Sequence, residues 1–215
     1  MAAPPLAELD PMLLAEAKQA RADDGVICEL KHDGYRLLAQ VQGPSVALRS
    51  RGGADATGWY PELARDLAGL SRARVVLDGE VVVLDDLGRS DFERLHARSR
   101  RRGWYDGADA VVFVAFDVLV HRGKDVRDQP LETRKALLSR LLAKPRPSVL
   151  LCQSVPGEHA PQLYRMACEL KLEGIVLKRL GSVYTGGEPR TGDWVKVKRP
   201  GATPAQRFER GDLTI

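Results

Sequence analysis

The sequence predicts an α+β domain in which short strands pair antiparallel and helices lie around the sheets. Three observations lead there. Apolar runs rich in Val, Leu and Ile recur at strand length, four segments carry helical periodicity, and the turns between consecutive strands are short. No internal repeat or low-complexity linker divides the chain, so one domain is expected.

A first helix is expected near residues 11–20. Strand-like runs follow at 25–31, 35–41 and 45–49, each bounded by Gly, Pro or Asp. Residues 60–70 place Leu63, Leu67 and Leu70 at i, i+4 and i+7, with Pro61 tolerated in the first turn. The run 74–84 ends in the turn "DDLG" at 85–88. Ser90 and Glu93 then have the capping-box spacing for a helix at 90–97. A strand at 111–119 precedes a helix at 131–142, whose Leu131, Leu138, Leu141 and Leu142 form one stripe. A strand at 149–153 precedes a helix at 159–170, built on Leu163, Met166, Ala167 and Leu170. Strands at 174–178 and 194–198 close the pattern, and the residues after 199 have little periodicity.

The 215 residues are 44% hydrophobic and 29% charged, the composition of a globular protein with a proper core. No run approaches the roughly 18 apolar residues of a membrane helix. The start, "MAAPPLAELD", lacks basic residues and carries acids early, so it does not read as a signal peptide. A cytoplasmic protein with no membrane contact is therefore expected. Cys28, Cys152 and Cys168 are far apart and form no CxxC pair, which argues for free thiols over disulfides or zinc. The net charge of +4 permits a polyanionic partner without requiring one.

Chemistry concentrates in a few stretches. In "ELKHDGYR" (29–36), strand alternation puts Glu29 and Lys31 on one face, with Cys28 and Leu30 on the other. The "DG" pair turns the chain, and Arg36 follows on the next strand. Alone, a Lys-x-Asp at a strand end is an ordinary salt bridge. In "VVLDGEVVVLDD" (75–86), Asp78 and Glu80 share a face inside an otherwise apolar run; they are a solvent-facing acid pair or else need buried partners. In "DWVKVKR" (193–199), Lys196 and Lys198 sit side by side, as on a solvated strand face or a phosphate-binding surface. Phe116 in "VVFVAFDVL" reads as core, and Glu173 in "LEGIVLK" as a helix end, if each stands alone. The cluster "ARSRRRGW" (97–104) gathers Arg98, Arg100, Arg101 and Arg102 beside Trp104, as a solvated loop or a DNA-backbone contact. "VYTGGEPRTGDW" (183–194) is a Gly-rich loop but no phosphate loop, because no GK[ST] follows.

Taken in order, these stretches resemble the covalent nucleotidyltransferase superfamily, and most closely the adenylation domain of bacterial ATP-dependent DNA ligases of the end-joining type. The ordered set is Lys31-x-Asp33-Gly34-x-Arg36, "SRGG" around Arg51, "LDGE" ending at Glu80, "FVAFD" with Phe116, "EGIVLK" from Glu173, and "WVKVK" with Lys196 and Lys198. The resemblance implies the nucleotidyltransferase fold, antiparallel sheets flanked by helices with the nucleotide cleft between them. It implies that Lys31 attacks the α-phosphorus of ATP to give lysyl-AMP and pyrophosphate. A free lysine, with pKa near 10.4, is about one part in a thousand neutral at pH 7, a handicap of roughly 4 kcal/mol, so nearby cations matter. By the same resemblance Glu29 takes the adenine amino group, Glu80 the ribose, and Phe116 the adenine face. Glu173 holds Mg2+ (or Mn2+), and Lys196 and Lys198 grip the α-phosphate as charge builds. Arg36 and Arg51 meet a phosphate of nicked double-stranded DNA, and Asp33 serves the later sealing step. His32 occupies a variable position.

The resemblance assigns residues 1–199 to the adenylation domain and 200–215 to a C-terminal tail, with no OB-fold domain. Ligases of this type continue past "KVK", whereas here 17 residues follow Lys198. A protein partner in place of the OB-fold domain is one expectation that follows. RNA ligation, another covalent nucleotidyl transfer, or a non-catalytic DNA-repair role are the alternatives.

Overall fold

The computed structural model describes residues 3–187 and 191–202. Of the C-terminal segment 200–215, residues 203–215 lie outside these, as do residues 188–190 of the Gly-rich loop. In chain order the first elements are β1 (Ala15–Glu16), β2 (Val26–Lys31), β3 (Tyr35–Gln42), β4 (Ser45–Ser50), α1 (Pro61–Leu67), β5 (Val75–Val82) and α2 (Phe92–Arg100). There follow β6 (Val112–His121), β7 (Lys124–Asp125), α3 (Leu131–Leu141), β8 (Val149–Leu151), β9 (Ser154–Pro156), α4 (Ala160–Glu169), β10 (Gly174–Arg179) and β11 (Trp194–Lys198).

The strands form two sheets. One has the order β1-β11-β10-β2-β9, the other β4-β3-β5-β6-β7 with β8 beside β6. Pairing is antiparallel as the short turns predict, except that β1 joins β11 and β8 joins β6 in parallel. These two exceptions connect residues far apart in the chain, so no hairpin constrains their direction.

Three apolar layers hold the elements. The outer face of the second sheet packs Leu37, Leu77 and Phe113 against Leu63 and Leu67 of α1, Leu95 of α2 and Leu138 of α3. Each such side chain, fully buried, contributes about 1.5–3 kcal/mol relative to exposure. Between the sheets lie Leu38, Val76, Leu119, Tyr184 and Trp194. The outer face of the first sheet packs Cys28, Leu30, Ile175 and Val197 against Ala160 and Ala167 of α4. The alternation read in 28–31 is realised: Cys28 and Leu30 face α4, and Glu29 and Lys31 face the space between the sheets.

Two expectations are corrected. No α-helix forms near 11–20. A single 3-10 turn at Leu6–Glu8 is followed by extended chain, because the backbone there is used across to the sheet: Met12 N–H donates to Tyr184 Oη (2.9 Å) and Ala17 N–H to the Lys196 carbonyl (3.0 Å). The second helix starts one residue later than the Ser90 cap predicts and runs on to Arg100. Asp91 is the N-cap, accepting from Arg94 N–H at 3.0 Å, and a carboxylate there also complements the positive end of the helix.

Candidate active site

The chain passes from the first sheet to the second through His32, Asp33 and Gly34, so Lys31 stands where the sheets diverge. Only glycine fits at 34, because a Cβ would lie 2.1 Å from the Val81 carbonyl oxygen. Register then assembles the first wall. Gly174, at the start of β10, is paired with Lys31 on one side and Lys198 on the other. Glu173, one residue earlier, reaches both lysines. Its Oε2 is 2.5 Å from Lys31 Nζ and its Oε1 is 3.3 Å from Lys198 Nζ. Two residues along, Val176 is paired with both Glu29 and Lys196, which keeps this row on the same face.

The opposite wall comes from β3, β5 and β6. Arg36 is paired with Glu80 across β3 and β5, and Phe116 lies on β6. Between the walls is a cleft of about 410 Å3, counting its open mouth, lined by Glu29, Lys31, Arg36, Glu80, Phe116 and Trp194 among others. A second, wider cleft continues past Lys31 and Glu173 to Asp33, Arg89, Glu93 and Arg199.

Buried charge in the first cleft is compensated pair by pair. Arg36 makes a bidentate contact with Asp78, at 2.8 and 2.6 Å, and Tyr184 Oη donates to the same carboxylate at 2.6 Å. Burial works against the Arg36 charge, but Asp78 outweighs it and holds the guanidinium firmly protonated. Its carbon lies 4.8 Å from the Phe116 ring centroid. Glu29 is buried too, with Lys135 of α3 at 2.6 Å and Lys178 of β10 at 2.7 Å. Burial pushes the Glu29 carboxyl up, and these lysines together bring it below the usual range. Lys178 Nζ also lies 4.4 Å from the Phe116 centroid and 3.9 Å from that of Trp194. The Glu80 carboxyl has no ion-pair or hydrogen-bond partner among the described residues, and burial, only partly offset by the charges of Lys31 and Arg36, pushes it up to about 7. Burial also lowers His32, with the Lys31 ammonium adding to the effect.

The structure thus brings Glu29, Lys31, Arg36, Glu80 and Phe116 to one cleft, with Glu173 and Lys198 at its edge beside Lys31. Lys196 lies farther along β11, paired with Glu16 at 3.2 Å. Asp33 lines the second cleft, and Arg51 is exposed in the turn after β4, its N–H donating to the Arg36 carbonyl at 3.0 Å. Lys135, Lys178 and the Asp78–Tyr184 pair escape a residue-by-residue reading. Lys178 closes the same "EGIVLK" stretch as Glu173, and strand period two from Val176 would have found it. Lys135 carries no signal in its own helix.

Chemically, the cleft joins an amine, a carboxylate whose two oxygens each face a lysine, an aromatic face and several buried polar side chains. The indole N–H of Trp194, buried in the cleft wall, has no hydrogen-bond partner among the described residues. Such a cleft suits a planar base with an attached phosphate chain. Glu173 is a hard anionic donor of the kind magnesium takes. Magnesium needs only one or two carboxylates when phosphates and water complete its shell. Among the described residues no group of three metal-ligating side chains occurs.

A family model described as ATP dependent DNA ligase domain matches residues 4–198. The chain is 42% identical over 171 residues to the multifunctional non-homologous end joining protein LigD of Pseudomonas aeruginosa, covering 79% of this chain and 20% of that protein. It is 33% identical over 189 residues to the SPbeta prophage-derived DNA ligase-like protein LigB of Bacillus subtilis, covering 88% of this chain and 67% of that one. Among solved structures, mycobacterial DNA ligase D complexed with ATP and MES superposes with a TM-score of 0.78 at 34% identity, covering 90% of this chain and 61% of that one. The chain therefore spans about one fifth of the Pseudomonas protein's length.

Proposed function

The chain belongs to the ATP-dependent DNA ligase domain family, and from that premise we propose that it carries out covalent adenylyl transfer to nicked double-stranded DNA. Lys31 loses a proton, its Nζ forms a bond to the α-phosphorus of ATP, and the bond from that phosphorus to pyrophosphate breaks. A DNA 5′-phosphate oxygen then takes the AMP and frees the Lys31 amine. The adjacent 3′-hydroxyl finally attacks the 5′-phosphorus, sealing the strand and releasing AMP.

The observation that carries this reading is the Lys31–Glu173–Lys198 row, set by register at the mouth of an aromatic-walled cleft. Glu173 accepts from Lys31 and stands ready to hold its proton. Lys198 supplies positive charge beside the reacting phosphorus, with Lys196 the next cation along the strand. Phe116 offers a stacking face, Glu80 an acceptor for ribose hydroxyls, and Glu29 an acceptor for the adenine amine. Arg36, paired with Asp78, lies against the Phe116 ring in the cleft wall, and the exposed Arg51 and the Asp33 of the second cleft face the nucleic-acid side of the reaction. Glu173 would hold magnesium (or manganese), which when bound neutralises phosphate charge. Among the described residues no helix is long and apolar enough to cross a membrane, and a cytoplasmic setting fits the reading.

The test is intact mass after incubation with ATP and magnesium. A gain of one AMP that vanishes in Lys31→Ala is expected; an unchanged mass, or label on another residue, would overturn the proposal. Intact mass after GTP in place of ATP checks the base, and only a gain from ATP agrees with it.

A further inference from the structure

The arginine cluster at the end of α2 divides into an anchor and a display. Arg98 is fully buried. Its guanidinium donates to the carbonyls of Trp59 (3.2 Å) and Gly103 and pairs with Glu62 at 2.8 Å, which ties the end of α2 to the start of α1. The helix end and loop so anchored leave Arg100, Arg101, Arg102 and Trp104 exposed, Trp104 by 57%. Arg101 is held 4.2 Å from the Tyr105 ring and Arg102 5.3 Å from the Trp59 ring. Arg102 has a left-handed backbone, φ 46, an uncommon conformation for a residue with a side chain. Among the described residues, none of these three exposed arginines has an ion-pair partner.

The other end of the same helix lines the second cleft, which Lys31 also lines. Ser90, just before α2, contacts His32 (3.4 Å), and Phe92 packs edge-on against Tyr35 at 5.6 Å. Along the nine residues of α2, at about 1.5 Å each, Arg100 lies roughly 12 Å from Phe92, about four base-pair steps of a duplex.

We propose that Arg100, Arg101 and Arg102 form a phosphate-binding edge that holds the flank of duplex DNA while its nick lies at Lys31. The inference rests on the ligase reading above and adds a surface to it. Guanidinium groups match phosphate oxygens in geometry and stay charged, and the aromatic rings beneath keep two of them spread toward solvent. The edge touches neither Lys31 nor the nucleotide cleft, so it governs DNA affinity and not adenylation.

The experiment compares the parent with Arg100→Ala/Arg101→Ala/Arg102→Ala in equilibrium binding to nicked duplex DNA across a salt series. Lysyl-AMP formation, read by intact mass, is the control for folding and for the ligase reading itself. With about 0.9 counterions released per phosphate contact, the variant's log–log salt slope should be shallower by about 3. Between 50 and 200 mM salt the parent should then lose roughly 40-fold more affinity than the variant. Adenylation should be equal in the two proteins. Equal slopes and affinities in two adenylating proteins would overturn the inference, as would a parent that adenylates but shows no salt-dependent DNA binding. A variant that keeps DNA affinity but loses an RNA duplex or an acidic peptide would also overturn it. A parent that fails to adenylate condemns the ligase reading instead.

Discussion

Lys31 Nζ and Glu173 Oε2 lie 2.5 Å apart although 142 residues separate them in the chain, and the other oxygen of the same carboxylate faces Lys198. Both contacts follow from Gly174 being paired with a lysine on each neighbouring strand. An ammonium in contact with a carboxylate is no nucleophile, so the proposed reaction requires the pair to exchange its proton or part before the amine attacks.

Glu173→Gln keeps the shape and removes the charge. It should slow lysyl-AMP formation on the order of 100-fold, the scale of losing one preorganised electrostatic partner. Fold stability should change little, since both lysines are partly exposed at this edge. Single-turnover adenylation followed by intact mass measures the first effect, and thermal unfolding the second. A rate within a few-fold of the parent would remove Glu173 from the machinery.

Gly174 is the hinge of that arrangement. A Cβ there would lie 2.1 Å from the Val197 carbonyl oxygen, and its φ of 148 is one that side chains rarely adopt. Gly174→Ala must push β10 from β11 and separate Glu173 from Lys198. Overpacking and strain together should cost about 1–3 kcal/mol, with adenylation reduced more than stability. Chemical denaturation and the adenylation rate check this, and a fully active variant would contradict the register.

Glu80 should give the protein a titration near neutrality. Burial raises its pKa from the ordinary 4.5 to about 7, so between these values the folded state holds a proton that the unfolded state has released. Stability contributed by the protonated group is therefore present below 4.5 and lost as pH rises through about 7. Glu80→Gln should raise the melting temperature at pH 8 and leave it nearly unchanged at pH 4.5. Nucleotide affinity of the parent should rise through pH 7 as the carboxylate ionises to accept from ribose, and the variant should lack that limb. A variant with the parental pH profile would exclude Glu80 from both roles.

The Arg36–Asp78–Tyr184 group is fully desolvated around Asp78. Asp78→Ala should cost about 3–5 kcal/mol, because it strands a buried guanidinium. Tyr184→Phe removes one hydrogen bond to Asp78 and the acceptor for Met12 N–H, and should cost about 1–3 kcal/mol. Burial and the neighbouring Asp78 raise the Tyr184 pKa well above its ordinary value, so the loss should be constant up to pH 10. Denaturant titrations of both variants supply the numbers, and equal costs would mean that Arg36 finds another partner.

What the sequence determined by itself was local. Period-two alternation marked β2, β5 and β11 and set Glu29 and Lys31 on one face, because strand backbone geometry leaves a side chain no third direction. Leucine spacing marked α1, α3 and α4, and the order from Lys31 to Lys198 pointed to the ligase family. Tertiary structure alone decided the partners. Asp78 and Glu80 read alike, as a solvent-facing acid pair or as carboxylates needing buried partners, yet Asp78 is bound by Arg36 and Tyr184, while the Glu80 carboxyl has no ion-pair or hydrogen-bond partner among the described residues. Arg98 read as one of four similar arginines, and its contacts with Trp59, Gly103 and Glu62 make it core. The segment near 11–20 read as helix, and Tyr184 and β11 drew its backbone into extended pairing. Periodicity reports which face of an element is buried. Which distant charge meets it there depends on the register of strands that the chain brings together only on folding.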